Sequence, residues 1–264
     1  MKKLLLSTAI AASMAGNAVA QDFQFEIDAF YVTGERELPF FGDTDFDGYG
    51  FEGRIHFDVV DTGQGPLAEA AFLDQSSFVG ATWISAEADA PGADSESTVI
   101  LDGRFVTQTD WIFEGTYTDI EDDDSTITLG VGKYLTQNTD FVVSLGQIDP
   151  DDDDDDATSI GVDSHTVMPL TGQTAIAYDL GLTYLDTDGG SATTVGAGFT
   201  YYFNRAFGAG LDVDFTNGDD FDQSSFTLSA DWFVTPAAHV GVAYNTLGQD
   251  ADGDSILLVG GLRF

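Results

Sequence analysis

The chain has 264 residues, of which 46 are acidic and only 8 are basic, giving a formal net charge of −38. This balance excludes a nucleic-acid partner, because contacts to phosphate need clustered Lys and Arg side chains. Hydrophobic residues make up 43% of the chain, which is enough to form a folded core. There is no cysteine, so disulfides and thiolate-bound metals are excluded as well.

The first twenty residues have the pattern of a secretory signal peptide. Lys2 and Lys3 form its charged start, an apolar run extends from Leu4 to about Met14, and residues 18–20 (Ala-Val-Ala) form the cleavage site. The run is shorter than the ~20 residues that a membrane-spanning helix needs. We therefore expect residues 1–20 to be removed and residues 21–264 to fold as one domain. No later segment is long and apolar enough for such a helix, so further membrane embedding must use strands.

From residue 22 onward, runs of about ten residues alternate between apolar and polar side chains, the period of a β-strand. In the first run, Phe23, Phe25 and Ile27 fall on one face, and Glu26 and Asp28 fall on the other. Fourteen strands are predicted, at 22–33, 48–60, 77–87, 97–106, 110–119, 125–134, 140–148, 158–168, 173–185, 192–202, 207–216, 224–234, 238–246 and 254–264. If two of the weaker runs are not strands, the count is twelve.

Three features favour an all-β, closed antiparallel transmembrane β-barrel over a soluble β-sandwich. The apolar face persists in nearly every run. The connections alternate between short turns and mostly longer acidic loops. Aromatic residues concentrate near strand ends, where a barrel meets the membrane interface: Tyr31, Tyr49, Trp111, Tyr134, Phe141, Tyr184, Tyr201, Phe207, Trp232, Tyr244 and Phe264.

One connection departs from the strand pattern. Pro66 followed by Leu-Ala-Glu-Ala-Ala predicts one or two helical turns over residues 66–73. A strand here would change the strand parity and place the amino terminus outside the cell. We therefore expect a short helix in an enlarged periplasmic connection between the second and third strands.

The last strand ends on an aromatic residue. Leu258, Leu262 and Phe264 fall on one face, and Arg263 falls on the other. This pattern resembles the C-terminal strand of bacterial outer-membrane barrels. The resemblance implies that Leu258, Leu262 and Phe264 are the signal read by the outer-membrane assembly machinery.

Residues 61–73, Asp-Thr-Gly-Gln-Gly-Pro-Leu-Ala-Glu-Ala-Ala-Phe-Leu, resemble a segment of the “putative porin” family of Gram-negative, largely marine bacteria. There too the segment follows the second strand of a barrel that has a signal peptide and ends in Phe. The resemblance implies a pore in the outer membrane, with lipid and lipopolysaccharide around it. Lys133 is the only lysine left after cleavage, which argues against a basic constriction.

If Phe264 faces outward, the opposite strand faces line the lumen. Fourteen strands lie between the filled eight-stranded barrel and the open porins, so a modest aqueous channel is expected. Carboxylates in such a channel attract cations, which predicts an outer-membrane porin that passes small hydrophilic solutes passively, prefers cations and needs no cofactor. The predicted pore-lining residues are Glu26, Asp28, Glu52, Arg54, His56, Asp58, Asp102, Arg104, Glu114, Asp163, His165, Asp179, Asp212, Asp214, Asp231 and Arg263.

Several alternatives stay open. A structural or adhesive barrel without an open channel shows the same alternation. Ser159, Asp163 and His165 share one strand and are the residue types that a barrel-borne hydrolase uses. Residues 43–48 have the Asp-x-Asp-x-Asp-Gly spacing of calcium loops, but Arg54 stands where an EF-hand needs a carboxylate. The acidic stretches 151–156 and 250–254 favour diffuse divalent-cation bridging to lipopolysaccharide over a dedicated metal site. Association into homo-oligomers is a further alternative.

Overall fold

A computed structural model describes residues 22–38, 42–90, 95–121, 124–149, 157–187, 189–219, 221–249 and 252–264. The predicted signal peptide lies outside these residues. So do the acidic run 151–156 and part of the stretch 250–254.

Fourteen antiparallel strands form one closed barrel in which each strand pairs with its neighbours in the chain. The shortest strand has 10 residues and the longest has 19, so every strand is long enough to cross a membrane. The strands are β1 (Phe23–Leu38), β2 (Gly42–Val60), β3 (Phe78–Ala88), β4 (Glu96–Val106), β5 (Trp111–Ile120), β6 (Ser125–Thr136), β7 (Thr139–Asp149), β8 (Ala157–Pro169), β9 (Ala175–Thr187), β10 (Gly190–Asn204), β11 (Phe207–Gly218), β12 (Asp222–Thr235), β13 (Ala238–Gln249) and β14 (Gly253–Arg263).

The barrel closes where β1 pairs with β14, from Glu26 opposite Arg263 to Arg36 opposite Gly253. The backbone carbonyl of Phe264 accepts hydrogen bonds from the N–H groups of Gln24 and Phe25, at 2.6 and 3.0 Å. Large apolar side chains on alternate positions remain exposed around the barrel wall. The alternation predicted from the sequence therefore places the apolar face outward, and the prediction of fourteen strands is confirmed.

Residues 61–77, which connect β2 to β3, form the plug segment. It contains two short 3₁₀ turns, Thr62–Gln64 and Leu67–Glu69, followed by one α-helical turn, α1 (Ala70–Leu73). The predicted helix is therefore present, at the barrel end where β1 begins and β14 ends, here called the terminal end. In the described part of the chain, no helix is long and apolar enough to cross a membrane.

Residues 43–48, whose spacing is that of a calcium loop without its final carboxylate, belong to strand β2. Two local expectations differ from the structure. The pairing of β1 with β2 shifts between Phe23 and Phe25, and this irregularity buries Phe23 while Phe25 stays outward. Tyr134 is also buried: Val131, Lys133 and Leu135 are exposed, so the alternation of β6 turns Tyr134 inward, away from the membrane interface.

Candidate functional site

The plug segment packs inside the terminal end of the barrel. Its apolar side chains reach opposite walls: Leu73 clusters with Val167 and the small residues of β9, and Ala70 clusters with Phe23 on β1. Phe72 packs against the buried cluster that contains Tyr134, whose hydroxyl donates to the Phe72 carbonyl at 3.0 Å. The segment therefore crosses the lumen instead of lying outside the rim.

A histidine of the barrel wall holds the middle of the plug segment. His165 on β8 lies between two carboxylates, with Nε2 at 2.9 Å from Glu69 Oε2 and Nδ1 at 2.6 Å from Asp179 Oδ1. Tyr202 on β10 donates its hydroxyl to the other oxygen of Glu69 at 2.5 Å. The ring of Phe72 meets the imidazole edge-on, with centroids 4.3 Å apart. Glu69 is thus bound by two different strands.

Two arginines hold the backbone of the plug segment. Arg205, in the turn between β10 and β11, donates to the carbonyls of Thr62 and Gly65. Arg263 on β14 donates to the Leu67 carbonyl at 2.7 Å and lies between aromatic rings. These bonds fix the backbone of the plug segment at three carbonyls.

Beyond the plug segment, a cavity of about 400 Å³ lies against the wall formed by β8 to β11. Its lining includes Asp163, Asp179, Asp212 and Asp214, here called the acidic wall. In register, Asp163 faces Gly181, which faces Gly196, which faces Asp214. The next row runs from Asp179 through Gly198 to Asp212. A Cβ atom added at Gly196 or Gly198 would stand 2.5 Å from an aspartate oxygen, so the glycines leave space that these carboxylates use.

The side of this cavity nearest β4 to β7 carries one arginine. Arg104 forms ion pairs with Glu114, at 2.6 Å, and with Asp140. Asp140 is only 3% exposed and also accepts the backbone N–H of His165 at 2.9 Å. Arg104 thus connects the lumen charge to the strand that carries His165. Among the basic side chains that the structure describes, none forms an ion pair with Asp163, Asp212 or Asp214.

The opposite side of the lumen holds carboxylates that have arginine or histidine partners, here called the paired wall: Glu26, Asp28 and Glu52. Glu52 lies 2.8 Å from Arg54, which also lies 3.6 Å from Asp102. Glu26 lies 3.3 Å from His56 and 3.7 Å from Arg263, on the two strands that neighbour β1. Asp28 lies 2.7 Å from His239 on β13, across β14.

The sixteen predicted pore-lining residues fall into groups. Arg104, Glu114, Asp163, His165, Asp179, Asp212 and Asp214 line the cavity. His56 and Arg263 differ from the prediction, because they are 0% and 7% exposed and are covered by aromatic rings, so neither lines a water-filled channel. The remaining residues divide by position: Glu26, Asp28, Glu52, Arg54 and Asp102 form or adjoin the paired wall, Asp58 is exposed, and Asp231 is half-buried on β12.

The sequence interpretation missed four side chains of this site: Glu69, Asp140, Tyr202 and Arg205. Asp140 was detectable, because it precedes the exposed Phe141 and so must face inward. Glu69 and Arg205 lie outside the strands, where no periodicity assigns a direction. The hydrolase arrangement also differs from the structure, since His165 pairs with Glu69 and Asp179 and not with Asp163.

The predicted assembly-signal residues lie at the end of β14 and just beyond it. Phe264 is exposed, and Leu262 is buried on the same face of the strand. In the part of the chain that the structure describes, no group of three or more His, Cys, Asp or Glu side chains is placed to hold a metal ion.

Comparison with known proteins places this geometry in context. A family model described as “Putative general bacterial porin” matches residues 1–150. No curated protein sequence matches the chain. The outer membrane protein Omp33 of Acinetobacter baumannii is similar in structure, with a TM-score of 0.68 at 20% identity, over 92% of this chain and 99% of that one. A bacterial polysaccharide outer membrane secretin gives a TM-score of 0.54 at 11% identity, over 91% and 98% of the two chains. At these identities, the two structures support the barrel fold.

Proposed function

Because the chain belongs to the general bacterial porin family and lies in the outer membrane of a Gram-negative bacterium, we propose that it passes small hydrophilic solutes passively and prefers cations. Its family is one of channels and not of enzymes. The terminal end carries the short turns, which face the periplasm in barrels of this kind. The acidic loops then face the outside of the cell.

The acidic wall is the observation that carries the cation preference. Its carboxylates stand in two rows across β8 to β11 and line the lumen cavity. The structure describes no ion pair from a basic side chain to Asp163, Asp212 or Asp214. Their charge therefore acts on mobile ions, whereas Glu26 and Glu52 each have an arginine partner.

The expected size of the effect follows from Coulomb's law. Two unit charges 4 Å apart in water interact by about 1 kcal/mol, and several carboxylates in a channel add their fields. A local free energy of about 1.4 kcal/mol corresponds to a tenfold enrichment of cations over the bulk solution. Salt screens these charges over roughly 10 Å at 0.1 M, so we expect the preference to be strongest in dilute electrolyte.

The test is the reversal potential of the refolded mature chain in a planar bilayer under a KCl gradient. We expect a stable conductance and a potential of the sign that cation flow produces, decreasing as the salt concentration rises. A potential of the anion sign would overturn the cation preference. A folded barrel without any conductance would favour the alternative, a structural or adhesive barrel.

Lipopolysaccharide is the partner that the outer surface of the barrel fits. On exposed strand ends towards the loops, tyrosine hydroxyls donate to aspartates: Tyr117 to Asp119 at 3.2 Å, Tyr184 to Asp186 at 3.5 Å and Tyr244 to Asp254 at 3.1 Å. Tyrosine is typical of the membrane interface. Carboxylates beside lipid phosphates need divalent cations between them, so we propose that Mg²⁺ or Ca²⁺ bridges the two. Leu258, Leu262 and Phe264 are proposed to bind the assembly machinery.

A further inference from the structure

The plug segment is attached to the barrel in three separate places. Its first part is held by Arg205 and Arg263 through backbone carbonyls. Its last part is held at the rim, where the Ser77 hydroxyl accepts the Val106 N–H at 2.8 Å and the Ser77 carbonyl accepts the Phe57 N–H at 2.9 Å. Residues 68–74 between these anchors are held by the apolar contacts of Ala70, Phe72 and Leu73, by the bond from the Tyr134 hydroxyl to the Phe72 carbonyl, and by Glu69.

The hydrogen bond between His165 and Glu69 depends on the protonation state of the imidazole. A carboxylate only accepts hydrogen bonds, and a neutral imidazole has one donor and one acceptor. His165 therefore satisfies Glu69 and Asp179 together only as the doubly protonated imidazolium. When the imidazole loses a proton, one of the two carboxylates loses its donor and faces the ring lone pair instead.

The surroundings of His165 favour this charged form. Most groups that face it are acidic, and the cation Arg104 is already shared between two carboxylates. The titratable and charged groups packed around it come from six elements: Glu69 from the plug segment, Arg104 from β4 and Asp140 from β7, Asp163 on its own strand, Asp179 from β9, and Tyr202 from β10 through Glu69.

We infer that residues 68–74 are a gate at the periplasmic mouth of the pore and that the protonated His165 is its latch. In the latched state, the plug segment crosses the lumen and Phe72 packs edge-on against the imidazole. Loss of the Nε2 proton leaves Glu69 with the Tyr202 hydroxyl as its donor, so its attachment to β8 is lost. The span between the two anchors then moves away from β8 and widens the path to the acidic wall. The inference rests on the proposed channel function and adds regulation to it.

The first experiment compares open fractions in single-channel recordings of the full mature chain. The glutamine of His165→Gln cannot carry the positive charge of an imidazolium. Glu69→Gln removes the carboxylate charge to which the imidazolium of His165 binds. We expect each variant to raise the open fraction at neutral pH about tenfold, because a hydrogen bond to a charged group is worth one to two powers of ten in an equilibrium constant. The matched control is His239→Gln, since His239 pairs with Asp28 away from the plug segment.

The pH dependence gives a second and independent readout. The wild-type open fraction should rise as the pH increases and the imidazolium loses its proton, whereas the His165→Gln open fraction should not respond. A wild-type pH response that persists in His165→Gln would overturn the inference, as would equal open fractions in both proteins. Folding of each variant is checked by the heat-dependent mobility of the barrel on a gel, and Glu69→Gln probes the same bond if His165→Gln does not fold.

A tether tests movement directly. Leu73, within residues 68–74, packs in one buried cluster with Val167 on β8. Because the chain has no cysteine, Leu73→Cys with Val167→Cys gives two unique thiols that a short reducible crosslinker can join. We expect the crosslink to suppress the open fraction and reduction to restore it. Opening that the crosslink leaves unchanged would contradict the gate, whereas the sign of the reversal potential tests the channel function separately.

Discussion

The paired wall and the acidic wall both consist of carboxylate side chains, but the surroundings of these carboxylates differ. On the paired wall, Glu26 reaches His56 and Arg263, and these partners are themselves buried under aromatic rings. On the acidic wall, Asp212 and Asp214 stand over glycines and face the cavity. One set of carboxylates belongs to the internal structure of the barrel, and the other presents its charge to water and solutes.

Burial explains this difference. An ion taken out of water needs an opposite charge and hydrogen bonds, so the paired wall must use several of the few basic residues of this chain. An ion beside a water-filled cavity keeps its hydration and needs no such partner. We therefore expect substitutions on the paired wall to change stability, and substitutions on the acidic wall to change selectivity.

The largest effect is expected for Glu26→Gln. It leaves the buried Arg263 without its carboxylate and weakens the pair with His56, and breaking such a buried pair costs about 3 kcal/mol or more. The measurement is the urea midpoint for unfolding of the refolded barrel. Asp163→Asn is the matched control, because no described basic side chain pairs with it, and its midpoint should stay unchanged or rise. A Glu26→Gln midpoint equal to that of the wild type would remove the distinction between the walls.

A smaller effect, on selectivity, is expected when the acidic wall is neutralised. The triple variant Asp163→Asn, Asp212→Asn and Asp214→Asn should lower the cation-to-anion permeability ratio about tenfold, in line with Coulomb energies of about 1 kcal/mol per charge. The control replaces Asp119, Asp186 and Asp254 by Asn, which changes the net charge equally on the outer rim. Equal shifts in both triple variants would show that total charge, and not the lumen wall, sets the ratio.

The smallest effect is expected for Gly198→Ala. Its Cβ would stand 2.5 Å from an Asp212 oxygen and 3.0 Å from the Asp179 Cβ, so both side chains must shift into the lumen. We expect a reduced single-channel current, unchanged ion selectivity and a stability loss of about 1 kcal/mol, typical of mild overpacking. Gly115→Ala is the control, because its Cβ would make only an ordinary contact with Leu129. A normal current in Gly198→Ala would show that the path of ions avoids these rows.

The strands were predictable because the barrel obeys one simple rule. Each side chain faces either lipid or lumen, and the period of two fixes which. All fourteen strands follow from it, as does the inward direction of Asp163 or Asp214. The rule fails at Phe23. There the irregular pairing of β1 with β2 turns the side chain to the other face of the strand, which the pattern of apolar and polar residues does not reveal.

The position of the plug segment inside the barrel could not be predicted from the sequence. Its helical turn was predicted from Pro66 and the residues that follow, but local propensity contains no information about where a connection packs. The pairing of Glu69 with His165 joins residues far apart in the chain and depends on the closed barrel. The burial of His56 and Arg263 has the same origin, because facing inward means exposure to water only where no other segment fills the lumen.

The seam between β1 and β14 sets the order in which this molecule folds. It joins residue 26 to residue 263, so it cannot form until the last strand has emerged, and pairings of such long range are slow. Until then, both edge strands remain open to pairing with other chains. Arg263 reaches its bond with Leu67 only when the seam has closed. The plug segment therefore receives its last anchor at the end of assembly, after the wall around it is complete.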